Sequence, residues 1–383
     1  MTKTANTDPN SLLLMIAGIN GAVGSTLAAA AAAWRHSPKM VAPYLTIPHY
    51  LPGLAERTRV HAAGWDRQTA PLSETVDAQG VLPAGIAGPL VDDLAAIPVR
   101  GVPAAQDLSA HVAALAADID DWRRQYPQSR PVLVNLLPAC SPPEGIEALS
   151  LTALLERMAP DEFPDLAFVL AALRSGVPVV NFTPNAVELP CVCSEARKQG
   201  VPICGRDGKT GQTYFKVVLA SAFKARGLDV DGWYSLNILG NADGANLMDP
   251  CRAAGKLANK TELLDNILGY PVGRRYGTTS HTVRIDYYAP RGDAKEAWDV
   301  IDFRGLFDLP MGLRVNLQGR DSILAAPLAL DLAIWTAALQ RTGRSGPVPE
   351  LAFYFKRPVG EAAPVTFQDQ VNTLVELAGI CRD

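Results

Sequence analysis

The stretch Leu12-Leu-Leu-Met-Ile-Ala17-Gly18-Ile-Asn20-Gly21-Ala22-Val23-Gly24-Ser25-Thr26-Leu27 decides the fold. Leu12 to Ala17 is a continuous apolar run, the pattern of a parallel strand buried on both faces. The glycines after it open an alanine-rich segment, Leu27 to Trp34, that reads as a helix. Strand, glycine turn and helix in that order are the context of a dinucleotide-binding loop. Glycine lets the backbone approach a pyrophosphate, and the helix N-terminus holds its charge. The spacing is GxxGxxG, with Asn20 where GxGxxG has its middle glycine. A turn needed only for strand–helix packing is the alternative reading. No Asp or Glu lies between Asp8 and Glu56, so the acidic ribose ligand usual about 20 residues after such a loop is missing. That position therefore does not decide between NAD and NADP.

Further along, Pro131 to Pro138 (PVLVNLLP) and Gly176 to Asn181 (GVPVVN) read as buried strands, and Leu108 to Trp122 and Phe168 to Ser175 as helices. Strands alternating with helices predict an α/β fold with a Rossmann-type doubly wound parallel sheet, its ligand beyond the strands' carboxyl ends. Asn135, Asn181, Thr183 and Asn185 lie at such ends. They are candidates for ribose or nicotinamide hydrogen bonds, or caps of their own loops.

Composition bounds the rest. A length of 383 residues suggests two domains, and 48% hydrophobic with 19% charged residues can bury a large core. Thirty-five Lys and Arg against 39 Asp and Glu give a formal charge of -4 without like-charge runs. Nucleic acid and membranes are not expected as partners, since both normally recruit a basic patch. Leu12 to Trp34 is nearly uncharged, but its central glycines and polar residues argue against a membrane span, and no targeting signal is evident. The six cysteines are expected to be buried thiols of a reducing cytoplasm. Five scattered histidines give no metal-binding pair, so no protein-held metal site is expected.

From Val201 polar residues cluster within apolar sequence: Gly205 to Thr213 (GRDGKTGQT), Leu239 to Leu247 (LGNADGANL), Arg291 to Lys295, Arg320 to Ser322 and Phe355 to Pro358. Gly-Lys-Thr at 208–210 fails the Walker spacing, yet its glycines, Gln212, Thr210 and Thr213 suit a small anion cradle. Lys256 and Lys260, four apart, would share a helix face and depress each other's pKa unless an anion intervenes. Two lysines on a wet face are the alternative.

These clusters resemble the myo-inositol-1-phosphate synthase family. The glycine loop is similar to its GxGGxxGST, GRDGKTGQT to its DxKSGQT, and LGNADGANL to its LGNNDGxNL. Arg291 to Lys295 is similar to its VGDSK, Asp321 to Asp331 to its DSLLAxPxxxD, and Phe355 to Pro358 to its WLKAP. The order holds from residue 12 to 358. The resemblance implies a Rossmann domain, residues 1–204 completed by 325–383, and an inserted mixed α/β catalytic and oligomerisation domain, 205–324, in a cytoplasmic homotetramer. It implies an intramolecular lyase that recycles tightly bound NAD and closes glucose 6-phosphate to an inositol phosphate. A monovalent or divalent cation requirement stays open.

The resemblance also implies roles. Lys256, Lys260, Lys295, Lys356, Asp207 and Asp321 are catalytic. Gly18, Asn20, Gly21, Ala22, Val23, Gly24, Asn135, Asn181, Thr183, Asp293 and Ser322 bind the cofactor. Lys209, Thr210, Gly211, Gln212, Thr213, Asn241 and Asp243 hold the sugar phosphate. Ala242, where the family has Asn, admits a variant that closes fructose 6-phosphate to a five-membered ring. A plain NAD-dependent sugar-phosphate dehydrogenase and a non-catalytic NAD sensor are further alternatives.

Overall fold

The computed structural model describes residues 11–55, 58–240 and 263–382. Two compact units divide them. One holds the described residues up to Gly208 with Ala325–Ala363 and those from Leu374; the other holds Lys209–Leu324 and Pro364–Thr373.

The first unit is built on β1 (Ser11–Ala17), α1 (Ala22–His36), β2 (Arg59–Asp66), β3 (Val99–Gly101), α2 (Leu108–Gln125) and β4 (Arg130–Asn135). It continues through α3 (Asp165–Arg174), β5 (Val179–Asn181), α4 (Pro190–Lys198) and β6 (Pro202–Gly205). All pairings are parallel, in the order β3-β2-β1-β4-β5-β6, the Rossmann arrangement; a late strand, β11 (Gly346–Pro347), adds beside β6. β1 explains the layering. Leu12, Leu14 and Ile16 enter the core on one face, with α1, Ile334 and Trp335, while Leu13, Met15 and Ala17 enter the other, with α2 and α3. Burial on both sides is why its sequence shows no polar alternation.

The second unit holds α5 (Gln212–Ala225), β7 (Asp229–Leu239), β8 (His281–Tyr287), β9 (Ala294–Arg304) and β10 (Pro310–Arg320). Its sheet runs β10-β9-β7-β8, antiparallel except for β7 with β8. Val217, Ala220 and Phe223 of α5 pack with Val230, Trp233 and Ile301 in its core. Two long helices, α6 (Asp321–Arg341) and α7 (Phe367–Arg382), follow. Among the described residues α6 alone is long and apolar enough to cross a membrane, and 78% of its apolar window is buried within protein.

Cys193, Cys204 and Cys381 are buried as expected, whereas Cys140 and Cys191 are half-buried. They lie in a loop and in the first turn of α4, where the packing does not close over them.

Candidate active site

The glycine loop joins β1 to α1. Gly18 has φ +83°, and a Cβ there would meet the Leu136 carbonyl at 2.9 Å. A Cβ on Gly24 would lie 2.3 Å from the Gly18 oxygen, so α1 can approach the turn only with glycine at that position. Gly21 precedes α1 without a side-chain cap, and the first turn carries no acidic residue. Its N–H groups and bare backbone fit a pyrophosphate. Asn20 turns its amide away, Nδ2 donating to the carbonyls of Gln68 (2.7 Å) and Ala70 (3.2 Å), while its Oδ1 is buried without a partner. Ala22 and Val23 begin the helix half-buried.

Sequence reading missed Asp66. It ends β2, and its Oδ2 accepts the Asn20 backbone N–H at 2.9 Å. An acidic side chain at the end of the second strand stands where a dinucleotide fold meets a ribose diol. The signal was in the sequence, but short helices between 38 and 55 lengthen the connection beyond the usual spacing.

Asn135 and Asn181 are fully buried and bond to their neighbours. Asn135 Nδ2 donates to Asp165 Oδ1 (2.7 Å), Asn181 Nδ2 to Glu188 Oε1 (2.8 Å), and Thr183 Oγ1 to Asn181 Oδ1 (2.9 Å). Asn185 joins the same network through Asp165 and Pro138. Burial raises the pKa of both Asp165 and Glu188, against the hydrogen bonds that lower it. In this structure the set ties strand-end loops together.

Beyond β6, Gly208 packs so closely that a Cβ would stand 2.1 Å from the Phe182 ring. Arg206–Gly208 pairs antiparallel with Phe355–Arg357, Lys356 N–H donating to Asp207 O at 2.8 Å. This register sets the Lys356 Nζ 2.7 Å from Asp207 Oδ1.

In the second unit Lys295, almost buried, pairs with Asp321 and lies 3.3 Å from the Thr210 hydroxyl, which itself donates to Asp321 Oδ1 at 2.9 Å. Gly211 caps α5 without a side chain, and a Cβ there would come within 3.1 Å of Lys295 Nζ. An uncapped helix N-terminus, a hydroxyl and an ammonium thus converge as an anion cradle. Ser322 donates to Asp293 Oδ1 at 2.7 Å, fixing the turn that carries Asp321.

Beneath the cradle lies a polar layer that sequence reading did not assemble. Gln212 Nε2 donates to Asp299 Oδ2 (3.1 Å), while Asn237 donates to Gln212 Oε1 and Trp233 Nε1 to Asp299 Oδ1 (2.7 Å). Lys216 Nζ meets His281 Nε2 at 2.9 Å, and burial brings its pKa down to about 8. Lys209 reaches Gln370 Oε1 at 2.8 Å, with burial bringing its pKa down to about 7. Thr213 is buried in the first turn of α5. The four-residue spacing of Gln212 and Lys216 was the one visible sign. Asn241, Asp243, Lys256 and Lys260 lie outside the described residues. No cluster of three or more metal-ligating side chains occurs among the described residues.

The sequence model described as myo-inositol-1-phosphate synthase matches residues 211–322, the stretch that contains Gly211, α5, Lys295 and Asp321 and begins one residue after Thr210. Over these residues the chain is similar to the myo-inositol-1-phosphate synthase family. An inositol-3-phosphate synthase 1 of Bacteroides thetaiotaomicron is 42% identical over 225 residues, covering 57% of this chain and 52% of the relative. One of Saccharomyces cerevisiae is 31% identical over 204 residues, covering 50% and 37%. The matched regions thus span about half the length, or less, of these curated relatives. The fold extends further. The inositol-3-phosphate synthase structure of Caenorhabditis elegans superposes with a TM-score of 0.80 at 20% identity, over 99% of this chain and 87% of that one. A synthase-related protein of Thermotoga maritima gives 0.72 at 22%, over 96% and 98%. Two carboxylate–lysine pairs, Asp207–Lys356 and Asp321–Lys295, thus occur on this family's fold.

Proposed function

We propose that the protein is an NAD-dependent cyclitol phosphate synthase, an isomerase that closes glucose 6-phosphate to an inositol phosphate. The observation that carries this reading is the Lys295–Asp321–Thr210 constellation at the open N-terminus of α5, of which Lys295 and Asp321 lie inside the stretch that matches the family and Thr210 directly precedes it. The unit with the glycine loop takes the cofactor role and carries the Asp207–Lys356 pair, and the second unit carries the Lys295–Asp321 cradle and the oligomerising face.

NAD, when bound at Gly18–Gly24 with Asp66 toward its ribose, supplies the hydride acceptor and donor. The protein's part is proton handling and charge. Lys356, held by Asp207, takes the C5 hydroxyl proton as C5 becomes a ketone, and Lys256 shares that task. C6 then gives a proton to a neutral lysine of the site, the enolate attacks C1 to form the ring carbon–carbon bond, and the oxyanion left at C1 takes a proton back from that lysine. Lys295 and Lys260 neutralise the oxyanion and the phosphate, with Thr210, Gly211, Gln212, Thr213 and Lys209 shaping the cradle. C5 finally regains hydride and proton, so there is no net redox change. Asp293 and Ser322 support the turn carrying Asp321.

The partner at the other side of the second sheet is another copy of the chain, in a cytoplasmic homotetramer. Tyr234, Leu236, Ile238, Trp298 and Val300 share a face of β7 and β9, with Tyr234 42% and Trp298 48% exposed, more apolar surface than a free sheet face usually shows.

The deciding test is incubation of the purified protein and NAD with carbon-13 glucose 6-phosphate or fructose 6-phosphate, followed by carbon and phosphorus NMR and 340 nm absorbance. A six-membered ring from glucose 6-phosphate without net NADH is expected. A cyclopentane from fructose 6-phosphate alone, or steady NADH release with no ring, overturns the reading.

A further inference from the structure

The helix that carries the cradle is held to its sheet in two different ways. Along its second half α5 packs hydrocarbon, Val217, Ala220 and Phe223 joining Val230, Trp233 and Ile301 in one core. Its first turn meets Asp299 instead, 4% exposed in the middle of β9. Strand register sets Ser235 of β7 directly opposite Asp299, whose Oδ1 accepts the Ser235 hydroxyl and the Trp233 Nε1–H (2.7 Å). Asp299 Oδ2 accepts Gln212 Nε2 at 3.1 Å, which leaves Gln212 Oε1 to accept Asn237 Nδ2. Gln212 is the first residue of α5 and follows Gly211, whose carbonyl accepts the Phe215 N–H at 3.2 Å. The turn that Gln212 anchors therefore carries the backbone that faces Lys295. Lys216, one turn on and 1% exposed, lies 5.9 Å from the Trp233 ring centre, and the Asp299 charge favours its protonated form against burial.

Hydrocarbon contact is non-directional and leaves a helix free to slide or roll by small amounts, whereas hydrogen bonds to a fixed carboxylate set both its height and its rotation. The N–H groups of a helix N-terminus hold an anion only where they point at it, and a misplacement of about 1 Å can cost on the order of a hundredfold in rate. We propose, on the footing of the function proposed above, that Asp299 is a positioning residue: through Gln212 it fixes the first turn of α5, so that the backbone N–H groups at Gly211 and the Lys295 ammonium face the same phosphate or oxyanion. Asp299 acts only through Gln212 and takes no proton in the reaction.

The test sets Asp299→Asn beside Val217→Ala, which thins the buried apolar half of the same helix, in the full chain with NAD present. Asparagine keeps the shape of Asp299 but must turn an amide nitrogen against a donor, either Gln212 Nε2 or the Trp233 and Ser235 pair. Each variant is followed by melting temperature, by kcat and KM for glucose 6-phosphate, and by phosphorus NMR titration with inorganic phosphate. Asp299→Asn is expected to lower kcat and phosphate affinity about tenfold each. Val217→Ala is expected to melt earlier as well, yet to stay within about twofold of wild type in both. Ser235→Ala, which removes one of the donors holding the carboxylate, is the milder form of the test should Asp299→Asn fail to fold, with an expected loss of about threefold. Wild-type kcat and phosphate affinity in Asp299→Asn, or in Ser235→Ala where the former does not fold, overturns the proposal, as does an equal loss in Val217→Ala. A wild type that binds phosphate but closes no ring would sink the proposed function alone, and the phosphate affinities of the variants would still decide the role of Asp299. No phosphate binding by the wild type at millimolar concentration overturns both.

Discussion

The two sheets bury opposite things. In β1 every side chain is apolar from Leu12 on, and both faces are covered. In β7 the buried positions beyond Trp233 are Ser235, Asn237 and, at the strand's end, Leu239, while Tyr234, Leu236 and Ile238 face outward with more exposure. Burying polar groups costs free energy unless each finds a partner, and here each does, through Asp299 and Gln212. An apolar layer would be the more stable solution, so the polar one points to chemistry above it. The outward apolar residues point to a partner surface. The first sheet is buried on two apolar faces; the second has a polar inside and an apolar outside.

The largest effect that would break this contrast lies at Lys356. Lys356→Ala is expected to lower turnover about a thousandfold through loss of proton transfer, with NAD affinity unchanged by fluorescence titration. Turnover within a few-fold of wild type would remove its assigned role. Next, Lys295→Met and Asp321→Asn should each reduce kcat about a hundredfold or more, since each strips charge stabilisation from the cradle. If both changed only KM, the cradle would merely bind.

The scaffold is tested by a pair of substitutions. Gly24→Ala drives a Cβ to 2.3 Å from the Gly18 oxygen and should destabilise by about 1–3 kcal/mol and abolish NAD binding. Gly21→Ala, whose nearest contact is 3.3 Å, should do little to stability. Equal melting temperatures for the two would mean that the turn yields. On the outward face of the second sheet, Tyr234→Asp with Trp298→Asp should shift light-scattering mass toward smaller species without changing the circular dichroism spectrum. An unchanged mass would leave the apolar face unexplained by self-association.

The smallest expected effect is in pH. Lys209 and Lys216 have folded pKa values lowered to about 7 and about 8, against 10.5 for the free side chain. The unfolded chain therefore binds more protons between pH 7 and 10, and stability from this source rises across that window and is lost as pH falls. Asp331, buried and raised to about 7, acts oppositely, so its contribution declines as pH rises from about 4 to 7. Melting temperature should rise by a few degrees from pH 7 to 9, and Lys209→Met should flatten that rise. A wild-type profile that falls over this range would contradict both lysine shifts.

Legibility followed the same contrast. β1, β4 and β5 announce themselves as apolar runs because both faces are buried, and α2 and α3 by their periodicity. β3 and β11, three and two residues long, leave too little pattern to read. The second sheet was not read strand by strand, because its inward positions are polar where alternation expects hydrocarbon. Asp207, Lys209 and Lys295 stood out as polar clusters, but their surroundings did not. Lys209 meets Gln370 across 161 residues, and Gln212 meets Asp299 across 87, pairings that strand register creates and local sequence does not carry.

The first unit is also closed by the last part of the chain. Six of its strands are complete by Gly205, yet the face bearing Leu14, Ile16, Val132 and Val134 is covered by Leu330, Ile334, Trp335 and Leu374. β6 meanwhile waits for Gly346 and Pro347 before its outer edge is paired. At about 5–20 residues per second of synthesis, a delay of some 125 to 170 residues means roughly 6–35 s in which the nascent sheet shows a partly uncovered apolar face and an open edge. A chain cut short before Ala325 would keep the glycine loop and every residue of its turn, yet beside α1 it would lack Leu330, Ile334, Trp335 and Leu374 over that face of the sheet. During biogenesis, then, the carboxyl-terminal segment governs solubility, and the amino-terminal loop depends on it.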